Sequence, residues 1–113
     1  FDVAGELISQ GTKEILLKPL PEEFALHQNY PNPFNPFTTI KFDVPEQTHI
    51  NLIIYDILGR EVVKLLNQEV PAGYQSIVWN TRNNFDRPVS AGVYFYQIQA
   101  KDFIKTRKMV LLK

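Results

Sequence analysis

The fold of this chain is decided first by a short stretch, Thr39-Ile40-Lys41-Phe42-Asp43-Val44. Its apolar and polar residues alternate, which is the pattern of a β-strand that buries one face. Turn-forming residues separate it from further strand-like stretches at residues 49–56, 60–66, 74–79, 93–100 and 103–112. Short strands at regular spacing, with almost no helix signal, predict an all-β, immunoglobulin-like antiparallel β-sandwich of about seven strands. We expect Trp79 to be the large core residue between its two sheets.

A segment that mixes proline with aromatic residues precedes this β-rich part. It comprises residues 28–37, Gln-Asn-Tyr-Pro-Asn-Pro-Phe-Asn-Pro-Phe, and is called here the Pro-aromatic segment. Its three prolines fix φ and remove backbone donors, so neither a helix nor a central strand can run through it. One interpretation is a solvated proline-rich linker. The aromatic residues among the prolines favour instead a stiff, ordered segment that packs on the sandwich through Tyr30, Pro31, Pro33 and Phe34.

The first 21 residues form a separate part of the predicted organisation. Two strand-like stretches, 6–9 and 13–18, flank a turn that contains Gly11, so the sequence predicts a short N-terminal β-hairpin at residues 6–18. Because a two-stranded hairpin alone is marginal in water, we expect residues 1–21 to be the tail of an upstream domain plus a linker. Residues 22–113 would then be the C-terminal sandwich. The alternative is a hairpin that donates a strand to another copy, giving self-association through residues 6–18.

Composition argues against several classes of function. Twelve basic and twelve acidic residues balance, whereas a nucleic-acid-binding surface normally needs a basic excess. Without cysteine, the chain has neither disulfides nor thiolate metal sites. The sequence contains no run of eighteen apolar residues, the length that would suggest a membrane span. Residues 1–5 do not resemble a signal peptide. We therefore expect the chain to be a mature form or a fragment of a larger protein.

The residues predict no catalytic, cofactor or metal site. His27 and His49 are the only histidines, and no spacing joins either of them to a nucleophile and an orienting group. The loop Asn80–Asp86 offers oxygen ligands of the kind that calcium binds, but a single carboxylate favours a plain turn. An aromatic platform for sugars is another possibility, although rings on alternating strands are usually core residues; the candidates are Tyr74, Tyr94, Phe95 and Tyr96.

Basic side chains concentrate at the C-terminal end of the chain. From Lys101 to Lys113 there are five basic residues and one acidic residue, Asp102. On an edge strand, such lysines would protect against edge-to-edge aggregation. A receptor could equally read the strand through strand addition and acidic contacts. The residues alone leave both roles open.

Several motifs, in order along the chain, carry a resemblance to a known family. The first runs from Phe24 to Pro36 and contains most of the Pro-aromatic segment. The others are Ile54–Val62, Ala72–Tyr74, Trp79–Asn80, Ser90–Tyr96 and Thr106–Lys113. Over residues 24–113 the chain resembles the type A C-terminal sorting domain of the bacterial type IX, or Por, secretion system. It is also similar in fold to the immunoglobulin-like domain of flagellar hook-capping proteins.

The resemblance implies a non-catalytic targeting role at the C-terminus of a larger secreted cargo protein. Domains of this family are recognised by the translocon after the cargo has reached the periplasm of a Gram-negative-type bacterium. A sortase-like peptidase at the cell surface commonly removes them, and the cargo stays at the surface or is released. By position, the family's Gly-x-Tyr and basic terminal elements match the residues that we expect to contact the translocon: Gly92, Tyr94, Lys105, Arg107, Lys108 and Lys113.

Overall fold

The computed structural model of the protein describes residues 19–113. The hairpin predicted at residues 6–18 lies outside these described residues and stays a prediction. Residues 19–113 contain no helix, and so none that is long and apolar enough to cross a membrane. The described chain forms seven strands: β1 Ala25–Leu26, β2 Thr38–Val44, β3 Thr48–Asp56, β4 Glu61–Val70, β5 Gly73–Trp79, β6 Gly92–Ala100 and β7 Phe103–Leu111.

The strands form two antiparallel sheets that pack face to face. One sheet has three strands in the order β1-β2-β5, and the other has four strands in the order β4-β3-β6-β7. The chain crosses between the sheets after β2, β4 and β5, as in immunoglobulin-like sandwiches. The predicted all-β sandwich of seven strands is therefore confirmed for the described part of the chain.

The inner faces of both sheets supply the core, as the alternating sequence pattern requires. Ile50, Leu52 and Ile54 of β3 are all 0% exposed. Trp79, at the end of β5, is 1% exposed and packs edge-on against Tyr94 of β6, with 5.4 Å between the ring centroids. The prediction that Trp79 is the large core residue is confirmed. Burial of this apolar surface is the main term that holds the two sheets together.

Two strands differ from the sequence-based prediction. β4 continues to Val70, although its apolar pattern ends at Leu66, because Asn67 and the polar residues after it still pair with β3. β1 has only two residues, which pair with β2. A strand this short leaves no periodic pattern in the sequence. Both differences arise from pairing with a neighbouring strand rather than from local preference.

The turn between β3 and β4 is fixed by local polar groups. Gly59 has a φ of +82°, a left-handed conformation that suits glycine. The Asp56 carboxylate accepts hydrogen bonds from the backbone N–H groups of Leu58 and Arg60, at 2.9 and 3.0 Å. The hydrogen bond from the Arg60 backbone is the main reason that the pKa of Asp56 is lowered. The predicted turn at Gly59 is thus present and joins two strands of the larger sheet.

Candidate recognition site

The basic C-terminal strand is an edge of the four-stranded sheet. β7 pairs with β6 along its whole length, from Phe103 opposite Ala100 to Leu111 opposite Gly92. Its inner-face residues Met109 and Leu111 are 0% and 1% exposed, so the strand also belongs to the core. Deleting it would open the core. Substitutions at its exposed positions are therefore the sharper test of its function.

The Pro-aromatic segment lies along the outer edge of β7 and covers the C-terminal half of that edge. Phe34 N–H donates to the Val110 carbonyl at 3.0 Å, and Leu112 N–H donates to the Phe34 carbonyl at 2.9 Å. Val110 N–H in turn donates to the side-chain oxygen of Asn32 at 3.0 Å. The segment therefore occupies part of the place that a neighbouring strand would take beside β7.

Packing of the Pro-aromatic segment depends on one aromatic side chain. Phe34 is 1% exposed, and its ring centroid lies 5.9 Å from that of Trp79. The prediction that Tyr30, Pro31 and Pro33 pack on the sandwich is wrong, because Tyr30 is 80% exposed and both prolines are exposed. The backbone of Tyr30 forms an antiparallel bridge with β2. Successive residues of an extended segment face opposite sides. Because Asn29 is buried, the side chain of Tyr30 faces outward.

Two buried polar residues hold the start of the Pro-aromatic segment in place. Asn29 is 2% exposed and Tyr96 of β6 is 0% exposed. Asn29 N–H donates to the Tyr96 hydroxyl at 2.8 Å, and this hydroxyl donates to the His27 carbonyl at 2.7 Å. Burial raises the pKa of Tyr96 above its ordinary value. The sequence gives no local signal for this pair, because 67 residues separate its members.

The N-terminal half of the β7 edge is left uncovered by the described residues. Alternate residues of a strand direct their backbone groups to the same side. Ile104 and Thr106 therefore share the outward orientation of Lys108, whose carbonyl accepts a hydrogen bond from the Pro-aromatic segment at 2.9 Å. No hydrogen bond within residues 19–113 reaches the outward backbone groups of Ile104 and Thr106. With respect to residues 19–113, this half of the edge therefore has unpaired backbone donors and acceptors, and the exposed side chains of Lys105 and Lys108 lie nearby.

The basic residues predicted to contact a translocon do not all have the same environment. Lys105, Lys108 and Lys113 are exposed. Arg107 is half-buried, and its Nε donates to the Leu26 carbonyl of β1 at 2.6 Å. Arg107 therefore ties the two sheets together. Of these four basic residues, only the three lysines are exposed, and their contact with a translocon stays a prediction.

Gly92 and Tyr94 belong to the architecture of β6. Gly92 has a φ of +145°, which residues with a side chain rarely adopt. Tyr94 is 5% exposed, and its hydroxyl donates to the Ser90 carbonyl at 2.6 Å. A tyrosine near the start of this strand that bonds to backbone a few residues upstream is a recurrent feature of immunoglobulin-like sandwiches. In the folded domain, the predicted contact between a translocon and the Tyr94 ring is therefore blocked by burial.

The loop at residues 80–86 uses its own amide oxygens. Asn83 Oδ1 accepts hydrogen bonds from the N–H groups of Phe85 and Arg87, at 2.9 and 3.0 Å. Asn84 Oδ1 accepts one from Lys64 N–H at 3.0 Å and so holds the loop against β4. Residues 19–113 contain no cluster of three His, Cys, Asp or Glu side chains that could hold a metal ion. The plain turn is the interpretation that these contacts favour.

The remaining candidates for chemistry lie apart from one another. His27 Nε2 is 3.0 Å from Asp43 Oδ1, and His49 Nε2 is 2.7 Å from Asn67 Oδ1, both in exposed positions. Tyr74 is 64% exposed on the three-stranded sheet, whereas its supposed partners in a sugar platform, Tyr94 and Tyr96, are buried in the core. The aromatic residues therefore do not form one surface.

The two-sheet arrangement places the described chain in the broad class of immunoglobulin-like β-sandwich domains. The sequence model of the family described as "Secretion system C-terminal sorting domain" matches residues 28–112, which is most of the chain. The chain belongs to this family. The resemblance seen in the motifs is confirmed. The matched range includes the Pro-aromatic segment and all strands from β2 to β7.

Several solved structures share the fold. Dimeric latent PorU from Porphyromonas gingivalis matches with a TM-score of 0.65 and 18% identity, over 79% of this chain and 9% of that chain. PorZ, described as an essential bacterial surface component of the type IX secretion system of P. gingivalis, matches with a TM-score of 0.54 and 20% identity, over 78% of this chain and 11% of that chain. FlgD from P. aeruginosa has a TM-score of 0.52 and 19% identity, over 66% of this chain and 57% of that chain.

These structural matches concern the fold alone, because their sequence identities are low. The chain spans only a small part of PorU and PorZ, so the activities of those whole proteins do not follow for it. No curated protein matches the chain in sequence. The family match is therefore the comparison that bears on function.

Proposed function

We propose that this domain is a non-catalytic C-terminal sorting module that directs a larger cargo protein through the type IX secretion system. Membership of the sorting-domain family is the observation that carries the proposal. The fold shared with PorZ, a surface component of that system, is consistent with it. In this proposal the cargo precedes the module, with residues 1–21 as its tail and linker and residues 22–113 as the module. The translocon and a surface sortase-like peptidase are its partners, and the cargo passes from the periplasm to the cell surface or the medium.

In the proposed mechanism, the translocon binds the uncovered half of the β7 edge. The outward backbone groups of Ile104 and Thr106 would pair with a strand of the receptor. Lys105 and Lys108 would attract an acidic segment and fix its register. Because the Pro-aromatic segment already covers the C-terminal half of the edge, the docked receptor strand would be short.

Charge reversal at the exposed lysines tests this mechanism. The full chain is fused behind a reporter that carries an export signal, in a bacterium that possesses the type IX system. The unchanged fusion should reach the cell surface. Lys105→Glu combined with Lys108→Glu should leave the reporter in the periplasm, because the acidic receptor segment would then be repelled.

A matched control changes the same amount of charge elsewhere on the sandwich. Lys41→Glu combined with Arg87→Glu alters two exposed residues away from β7, and this variant should be exported normally. Circular dichroism and thermal unfolding show whether each variant is folded. Normal export of a folded Lys105→Glu/Lys108→Glu variant would show that the translocon does not recognise the β7 edge through these lysines. Retention of the unchanged fusion would refute the sorting function itself.

A further inference from the structure

Three of the four sheet edges in the described sandwich carry a protective feature. β1 is only two residues long, and β7 is basic and partly covered by the Pro-aromatic segment. β4 has two register shifts in its pairing with β3, and Lys64 N–H at its edge donates to the Asn84 side chain at 3.0 Å. Short length, charge, bulges and covering loops are the means by which proteins prevent edge-to-edge pairing. Within residues 19–113, the fourth edge, β5, has none of these features.

The unprotected edge is regular and uncharged. The sequence of β5, GYQSIVW, contains neither a charged residue nor proline. The strand pairs with β2 over all seven residues without a register shift. No hydrogen bond within residues 19–113 reaches the backbone groups on its open side. Ile77 faces the core but is only partly buried, since no further strand of the described residues lies beside β5.

The side chains of β5 suit a second copy of the same strand. Tyr74 and Val78 face outward and are 64% and 57% exposed, and Ser76 lies midway between them. If two β5 strands paired antiparallel about a two-fold axis at Ser76, Tyr74 of each copy would lie opposite Val78 of the other. Aromatic and β-branched side chains are favourable cross-strand partners. The absence of charge also removes like-charge repulsion between the two strands.

We propose that the domain self-associates by antiparallel pairing of β5 from two copies. The two three-stranded sheets would then form one continuous six-stranded sheet through a contact that uses the same surface on both copies. This contact lies on the opposite sheet from β7. The paired domain therefore keeps the proposed recognition edge accessible, and the proposal does not depend on the sorting role.

A single introduced cysteine reports on this contact, because the chain has no cysteine of its own. In the full chain, Ser76→Cys would place two thiols at the two-fold axis, where opposite Cα atoms lie about 4.5–5.5 Å apart, a separation that a disulfide can span. Under mild oxidation this variant should form disulfide-linked dimers roughly tenfold faster than a control, because the paired strands raise the local thiol concentration. The matched control is Ile104→Cys, at an exposed position on the other edge strand.

Sedimentation of the unmodified chain gives an independent measurement. Its mass should rise from 13.1 kDa toward twice that value with increasing concentration. Val78→Lys should keep the chain monomeric. The control Ile104→Lys should still dimerise like the unmodified chain. If Val78→Lys does not unfold cooperatively, Tyr74→Lys replaces it as the test variant. A chain that stays monomeric, with Ser76→Cys cross-linking no faster than the control, overturns the proposal. Cross-linking that vanishes when residues 1–18 are removed also overturns it, because the N-terminal segment would then make the contact.

Discussion

At the scale of single residues, Phe34 decides whether the Pro-aromatic segment is part of the fold. Its ring is 1% exposed and packs beside Trp79. Phe34→Ala should therefore lower the free energy of unfolding by about 3 kcal/mol, as measured by urea denaturation. Tyr30→Ala is the control, because Tyr30 is 80% exposed and should cost less than about 0.5 kcal/mol. An equally small loss for Phe34→Ala would mean that the segment is a solvated linker.

Residue environments could be predicted from the sequence only where the position of the side chain is set locally. The alternation around Phe42 identifies the buried face of β2, because successive side chains of a strand face opposite sides. Tyr30 and Phe34 look alike in the sequence, yet one is exposed and the other buried. What separates them is the strand that each pairs with, β2 for Tyr30 and β7 for Phe34. That choice of partner is not encoded in the neighbouring residues.

At the scale of elements, the Tyr96 hydroxyl joins β6 to the chain that leads into the Pro-aromatic segment. It accepts a hydrogen bond from Asn29 N–H and donates one to the His27 carbonyl, at 2.8 and 2.7 Å. Tyr96→Phe removes the hydroxyl and so leaves the Asn29 N–H and the His27 carbonyl without this hydrogen-bond partner. The free energy of unfolding at neutral pH should therefore fall by about 1–3 kcal/mol. Urea denaturation of the wild type and the variant measures the difference.

The difference in unfolding free energy between the wild type and Tyr96→Phe should also depend on pH. Burial raises the pKa of folded Tyr96 above the ordinary value of 10.0. The contribution of the Tyr96 hydroxyl to stability is complete below the pKa that this tyrosine has in the unfolded chain. That contribution is lost as the pH rises through the higher pKa of Tyr96 in the folded state. The difference in unfolding free energy between the wild type and Tyr96→Phe should accordingly shrink above about pH 10. A difference that stays constant at alkaline pH would contradict this role of the hydroxyl.

The elements themselves were predictable to different degrees. The strands with a clear apolar alternation, such as Thr38–Val44 and Gly92–Ala100, are found within one residue of their predicted bounds. The order of strands within a sheet is not a local property, because β5 lies beside β2 although two strands separate them in sequence. The sequence therefore indicated a basic terminal strand, but it did not reveal that Asn32 and Phe34 cover half of that strand's edge.

At the scale of the whole molecule, the sandwich should be complete without the first 18 residues. Pro21 is buried, and Phe24 stacks on Phe103 with 5.7 Å between the ring centroids, so these residues already belong to the packed chain. Residues 19–113 alone should unfold cooperatively, with a melting temperature close to that of the full chain and the same dependence of mass on concentration. Calorimetry and sedimentation measure both properties. Loss of cooperative unfolding would show that the N-terminal residues complete the sandwich, whereas loss of self-association alone would support strand donation through residues 6–18.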